Sequence, residues 1–338
     1  VVDTEKAMRR ALALSAGALG TTSPNPPVGA VVLDQHGEPV GEGATAPPGG
    51  PHAEVAALRQ AGVRAFGGTL VCTLEPCNHI GRTGPCTAAI AEAGVARVVY
   101  ACDDPTEAAG GGSEVLRAAG IEVEAAFLAE EVAEGPLVAW LHVQRTGRPF
   151  VTWKLAATLD GRVAAADGSS RWITGPEARA DVHRLRAESD AVVVGIGTVL
   201  ADDPALTVRP DPGRQPLRVV VDSDGRTPAG AAVRDEAAET LVLTERDTGR
   251  HDPEGVLRVL HERGVVSVLL EGGPTLAAAF VTAGLVDRVV AYVAPALLGA
   301  GAGAVGELGV GTITDAVRLR LCEVARVGDD VRMTLRSS

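Results

Sequence analysis

Lysine is nearly missing from this sequence: of 31 basic side chains only Lys6 and Lys154 are lysines, and the rest are arginines. A chain that uses arginine wherever a generic positive charge suffices invites a chemical reason for a lysine kept inside an apolar stretch, as Lys154 is. Positive charge is itself short, because 43 acidic side chains leave a net charge of −12. Nucleic-acid binding needs a basic face to neutralise phosphates, so this balance argues against such a partner. No apolar run approaches the ~20 residues that cross a bilayer, and no charged-then-apolar leader opens the stretch. No membrane partner is expected. Five cysteines are too few, and too odd in number, for a disulfide framework. The expectation is a soluble, cytoplasmic protein with free thiols.

Apolar material is plentiful: hydrophobic residues make up 46% of 338 positions and charged ones 22%, enough to bury real cores. That length exceeds one ordinary domain and points to two. Apolar positions recur at helical spacing over residues 3–19, behind Asp3 and Thr4 as caps. A strand at 28–33 and a Gly/Pro-rich loop from Gly41 to Pro51 follow. Helices are expected over 53–61, 85–93, 114–119 and 130–144, and strands over 69–74, 97–102 and 122–127. Gly147 and Pro149 then break the pattern, which divides the chain into domains 1–147 and 148–338. The second half restarts with a strand at 150–156. Thr174-Gly175-Pro176-Glu177 reads as a capping box opening a helix to Glu188. Strands at 191–196, 217–222, 240–244, 266–271 and 288–294, helices at 252–263 and 274–283, and a terminal hairpin over 321–336 complete it. Both domains are α/β, the second mainly parallel with an antiparallel end.

Chemistry concentrates first around Pro51-His52-Ala53-Glu54 and Leu74-Glu75-Pro76-Cys77, with Cys86 nine positions after Cys77. One imidazole and two thiolates make a good zinc set, and three protein ligands leave a fourth position open. Helix starts favour thiolates and anions near a metal. Glu54, two residues past His52, is spaced to face the metal's water without ligating it. Zinc nucleobase deaminases carry H-x-E…P-C-x-x-C with this Glu as general acid/base; here the second spacing is Cys-x8-Cys. Two plainer readings stay open: a closed structural zinc with His79 as fourth ligand, or no metal. Cys72, Cys102 and Cys322 lie in strand-like runs and are expected to be small buried apolar residues.

Asn25-Pro26-Pro27-Val28-Gly29-Ala30-Val31-Val32, His52-Ala53-Glu54-Val55, Thr73-Leu74-Glu75-Pro76-Cys77-Asn78-His79 and Gly81-Arg82-Thr83-Gly84-Pro85-Cys86 resemble the deaminase half of the bifunctional riboflavin-biosynthesis deaminase/reductases. The resemblance covers most of residues 5–146 and implies a cytidine-deaminase-like α/β/α domain. It implies one zinc per chain on His52, Cys77 and Cys86, with Glu54 moving protons. It also implies that Asn25, His79 and Arg82 touch a phosphorylated pyrimidine; Asn suits a pyrimidine edge and Arg a phosphate. The sequence departs from the family at Thr106-Glu107, at Gly111 where Arg is usual, and at Ala56 where His is common. Asp104 still matches.

The second half keeps Lys154 within Phe150-Val151-Thr152-Trp153-Lys154-Leu155-Ala156. The plainer reading is a lysine snorkelling from a strand end. Gly301-Ala302-Gly303-Ala304-Val305-Gly306 fits the dinucleotide expression G-x-G-x-x-G, but the residues after it are too rich in Gly and β-branched types for the required helix. A Gly-rich loop is expected there. Ser170-Arg171-Trp172-Ile173-Thr174, the run from Thr198 to Arg209, and Glu271-Gly272-Gly273-Pro274-Thr275 resemble the reductase half of the same family, across roughly 149–336. That implies a dihydrofolate-reductase-like α/β fold using NADPH. By the resemblance Ala156, Trp172, Thr198, Asp202, Ser223, Gly273, Pro274 and Thr275 contact NADPH. Ser170, Arg186, Leu206, Arg209 and Glu271 contact substrate, with Arg186 and Arg209 as anchors for its phosphate. Lys154 is assigned to the reacting carbon.

The resemblance implies an enzyme that removes the 2-amino group of a diaminopyrimidine ribose phosphate, then reduces the ribosyl group to ribityl. A homo-oligomer is expected. Two rivals are a nucleoside or tRNA deaminase with an unrelated second domain, and a zinc-stabilised nucleotide-binding module. Residues 1–147 hold nine basic and seventeen acidic side chains, a poor surface for gripping RNA.

Overall fold

The computed structural model describes residues 3–79, 84–209, 213–250 and 252–337. The chain separates into two compact units, Val1–Gly147 and Arg148–Ser338. No helix among the described residues is long and apolar enough to cross a membrane.

The first unit runs α1 (Thr4–Gly17), β1 (Gly29–Leu33), β2 (Pro39–Ala44), α2 (Ala53–Ala61), β3 (Thr69–Leu74), α3 (Cys86–Glu92), β4 (Arg97–Cys102), α4 (Gly112–Ala118), β5 (Glu122–Glu124), α5 (Ala129–Glu134) and α6 (Val138–Thr146). Asp3 caps α1 by accepting from the Lys6 amide at 3.0 Å. The sheet order is β2-β1-β3-β4-β5, with β1 antiparallel to both neighbours and β3, β4 and β5 parallel.

Two expectations need correction here. The segment after Gly41 is no loop at first but the strand β2. Its glycines are there because α2 lies on it: a Cβ at Gly43 would stand 2.3 Å from the Ala53 carbonyl oxygen. The helix expected over 130–144 is two helices, α5 ending at Glu134 and α6 starting at Val138. Gly135 and Pro136 lie between, where proline removes a donor and clashes with the preceding turn.

The second unit runs β6 (Phe150–Thr158), α7 (Pro176–Ala187), β7 (Ala191–Gly195), α8 (Ile196–Asp202), β8 (Leu217–Val221), β9 (Thr240–Leu243), α9 (Glu245–Thr248), α10 (Pro253–Glu262), β10 (Ser267–Leu270), α11 (Pro274–Thr282), β11 (Arg288–Ala294), β12 (Leu319–Val327) and β13 (Asp330–Ser337). The sheet order is β12-β13-β11-β6-β10-β7-β8-β9; β11 through β9 are parallel and the terminal hairpin is antiparallel. Successive strand residues face opposite sides. Accordingly Ala191 and Val193 enter one core while Val192 and Val194 enter another. Burial on both faces explains why β7 is continuously apolar.

Two further expectations fail in this unit, and one helix stands where none was expected. Thr174 does not cap α7; Gly175 occupies that position, and its amide donates to Asp330 Oδ2 at 2.7 Å. The helix α8 was not expected. Cys322 is exposed rather than buried, because β12 is the outermost strand, whereas Cys72 and Cys102 are buried as expected. Among the described residues no α-helix follows Gly301–Gly306, in line with the rejected dinucleotide motif.

Candidate active sites

In the first unit His52 stands immediately before α2, Cys86 opens α3, and Cys77 follows β3. One ligand atom from each lies within 4.8 Å of the others. His52 Nδ1 is 3.2 Å from Cys86 Sγ and 3.5 Å from Cys77 Sγ. Hydrogen bonds from Cys86 and His52 bring the Cys77 thiol down to about 4. Beside that thiolate, and buried, the Cys86 thiol is pushed far up. Glu54, 4% exposed in the first turn of α2, is pushed up to about 7 by burial. An imidazole, two thiols and a buried carboxyl packed this closely fit a dication, whose binding deprotonates both thiols. His79 is not part of the cluster among the described residues, so the closed four-ligand alternative finds no support there.

His79 is half-buried, and its Nδ1 is buried with no hydrogen-bond partner. Asn25 is also half-buried, on a segment held by Ser15 to the Pro27 carbonyl and by Thr45 and Thr73, which accept from the Val28 and Gly29 amides at 3.0 and 3.1 Å. Arg82 lies outside the described residues. At the departures from the family, Thr106 closes onto Asp104 Oδ1 with its amide and hydroxyl, and Gly111 precedes α4 at φ +81°.

In the second unit the assigned residues gather at the ends of parallel strands, where such sheets bind ligands. Lys154 lies in β6, Thr198 and Asp202 in α8 after β7, Ser223 after β8, and Glu271 to Thr275 after β10. Lys154 Nζ is 4.0 Å from Glu271 Oε2. Burial lowers the Lys154 pKa while Glu271 opposes the shift. Burial works against the Glu271 charge too, yet Arg186 and Lys154 hold its carboxyl below the usual range.

Arg186 is not a free anchor for phosphate. Its Nε and Nη2 donate to Glu271 at 2.6 and 2.9 Å, and Nη1 donates to the Thr207 carbonyl at 3.0 Å. Leu206, at φ +54°, buries its side chain in the core, which leaves its main chain for contacts. Arg209 is exposed, and its amide donates to His183 Nδ1 at 3.2 Å. Ser170 donates to Asp202 Oδ1 at 3.4 Å, so these two assigned residues touch. Trp172 is exposed, with the Arg179 guanidinium 4.6 Å from its ring centroid. Gly273 neighbours Thr198: a Cβ there would make ordinary contact with its Oγ1 at 3.6 Å. Ala156 and Ser223 are half-buried; Pro274 and Thr275 form the first turn of α11. Reading the sequence missed His183, which stands one helical turn before Arg186 and braces the same loop.

Known proteins match along the whole chain. Residues 2–102 match the cytidine and deoxycytidylate deaminase zinc-binding region, and residues 149–333 match the RibD C-terminal domain. The riboflavin biosynthesis protein RibD of Mycobacterium tuberculosis (strain H37Rv) is 52% identical over 99% of this chain and 98% of its own. RibD of Escherichia coli (strain K12) is 42% identical over 97% and 98%. RibD of Acinetobacter baumannii (form 1) superposes with a TM-score of 0.90 at 38% identity, covering 99% of each chain. The Thermotoga maritima structure described as a diaminohydroxyphosphoribosylaminopyrimidine deaminase/5-amino-6-(5-phosphoribosylamino)uracil reductase does so at 0.91 with 36% identity and the same coverage.

Proposed function

The chain belongs to the RibD family of bifunctional riboflavin-biosynthesis enzymes, a zinc deaminase joined to a reductase for which NADPH fits, and from that premise we propose how its residues divide the work. Deamination belongs to 1–147 and reduction to 148–338. The substrate is a diaminopyrimidine bearing a phosphoribosylamino arm; the first unit replaces its 2-amino group by a carbonyl and releases ammonia. The second unit reduces the ribosyl group to ribityl.

The reading rests above all on the His52, Cys77 and Cys86 cluster with buried Glu54 beside it. Those three would hold zinc, which when bound supplies the Lewis acidity that makes a water nucleophilic near pH 7. Glu54 takes the proton from the attacking water and returns it to the leaving amine. Burial works against the Glu54 charge, which favours a carboxyl able to hold the proton between the two transfers. Asn25 offers a donor and an acceptor to the pyrimidine edge, and His79 and Arg82 hold the remainder of the substrate.

NADPH, when bound along the strand ends of the second unit, supplies the hydride. Ala156, Trp172, Thr198, Asp202, Ser223 and the Gly273–Thr275 turn cradle it. Lys154 donates a proton to the ribose oxygen or imine nitrogen as negative charge builds there. A lysine suits this where an arginine does not, since arginine keeps its proton. Arg186 fixes Glu271, and Glu271 in turn steadies the ammonium. Ser170, the Leu206 main chain and Arg209 take the substrate, and the phosphate contact falls to Arg209.

Free thiol ligands need a reducing compartment, so the reading is a cytoplasmic enzyme. Self-association is expected through the β12–β13 hairpin, whose Leu321 and Val324 are 54% and 58% exposed on an edge strand; Val324→Lys should shift the sedimentation coefficient toward monomer. The test of the whole is incubation of the zinc-loaded chain with the diaminopyrimidine. Without NADPH it should release ammonia and stop at the uracil; with NADPH it should yield the ribityl product. Ammonia release that required NADPH would contradict the division of labour.

A further inference from the structure

One buried carboxylate of the first unit has no part in the chemistry above. Glu75 is 5% exposed and stands between β3 and the ligand Cys77. Its two oxygens accept from amides at the two ends of a single loop, Oε2 from Asp104 at 3.3 Å and Oε1 from Ser113 at 2.8 Å. The loop is fastened twice more to the segment that carries Cys77. Asn78 donates its amide to the Ala109 carbonyl at 3.1 Å. Gly112 presses so hard on Pro76 that a Cβ there would stand 1.8 Å from the Pro76 carbonyl oxygen. Inside the loop, Asp104 Oδ1 takes the amide and hydroxyl of Thr106 at 2.9 and 2.6 Å.

Strands β3 and β4 are parallel neighbours with Leu74 beside Cys102. The loops that follow them therefore open at the same end of the sheet, one carrying Cys77 and the other running from Asp104 to Gly112. Gly111 has no side chain to cap α4, so Glu75 Oε1 serves the first-turn amide of Ser113, and Oε2 reaches the other end of the loop; a buried carboxylate is costly to desolvate unless both oxygens are satisfied in this way. Fixing this loop beside the metal ligands gives that arrangement a purpose.

We propose that Glu75 is a positioning residue for deamination: its carboxylate holds the Asp104–Gly112 loop as the wall against which the phosphoribosyl arm lies beside the zinc ligands. This rests on the deaminase reading above. Glu75 touches neither the pyrimidine nor the metal; it sets the place of a loop that touches the arm. Its loss should therefore weaken substrate binding and spare the chemical step.

The test is Glu75→Gln in the full-length, zinc-loaded chain. An amide cannot accept from both neighbours, because whichever way it turns its NH2 meets one of the two N–H groups. KM for the diaminopyrimidine should rise about tenfold, with kcat held within about threefold. One zinc per chain and NADPH-dependent reduction should persist. Calorimetric affinity for the deaminated uracil should fall by the same factor, a readout that needs no turnover. Ser113→Pro removes one donor from the loop side at a helix first-turn position that tolerates proline. In the double variant the two losses should not add, since they break one latch. Unchanged KM, a fall in kcat alone, loss of zinc, or full additivity would each overturn the proposal. A wild type that binds the uracil but releases no ammonia would instead sink the deaminase reading, and the binding constants would still judge Glu75.

Discussion

In the first unit the groups proposed for the site come from two helix starts and one strand end: one imidazole, two thiols and one buried carboxyl. In the second unit they come from β6, α7 and the end of β10, and they are common charged residues in an uncommon arrangement. Donors for a metal must be of certain kinds, so the first site is legible from residue type and spacing. A charge network depends on which strands lie side by side, so the second is legible only once topology is known. The two sites also differ in what a single substitution should do. A member of the first set has a separable job; a member of the second supports its neighbours.

The largest effect separates proton transfer from metal binding. Glu54→Gln should lower ammonia release about 10³-fold while one zinc per chain remains and reduction is unaffected. Retained ammonia release, measured by a coupled assay, would remove Glu54 from the chemistry.

Next, Glu271→Gln should strand Arg186 and Lys154 without their shared counter-charge. Breaking a buried pair in this way costs about 3 kcal/mol, read as a lower melting midpoint of the second unit, together with lost reduction. A drop in reduction at unchanged stability would show that the network is less interdependent than its geometry implies.

Lys154→Arg keeps the charge and removes the transferable proton. Reductive turnover should fall about 10²-fold, with NADPH affinity and deamination intact. Weakened NADPH binding with normal turnover at saturation would move Lys154 to the cofactor's phosphates.

The smallest effect concerns a half-buried carboxylate just past β6 that has no role in the proposed chemistry. Thr158, and then the Gly299 and Leu298 amides, donate to Asp160 and hold its carboxyl down at about 2, against an ordinary 3.8. A depressed folded-state pKa gives stability that is complete above about pH 4 and fades as the pH falls through about 2. Asp160→Asn should lower the melting midpoint at pH 7 and by less at pH 3. An equal shift at both would detach the effect from ionisation.

Much of the fold was open to reading because local signals and tertiary demands agree. Leu70–Cys72 and Val98–Cys102 are apolar at every position since both faces of those strands are covered. The failures share a cause, a partner remote in sequence. Gly41 and Gly43 look like loop residues, but the approach of α2 sets their size. Thr174 has the composition of a cap, but Asp330 takes the amide at the start of α7. Arg186 has the chemistry of a phosphate anchor, but Glu271 occupies its fork. Glu75 was in plain view before Cys77, but nothing local shows that Asp104 and Ser113 converge on it.

The central claim is that one chain carries two chemistries that do not share residues. Mixing equal amounts of the Glu54→Gln and Lys154→Arg chains with the diaminopyrimidine and NADPH tests it most directly, with products identified by mass. The mixture should carry substrate through to the ribityl product, because each variant supplies the step that the other lacks. A mixture that stalls where the single variants stall, with both proteins folded and zinc-loaded, would contradict it.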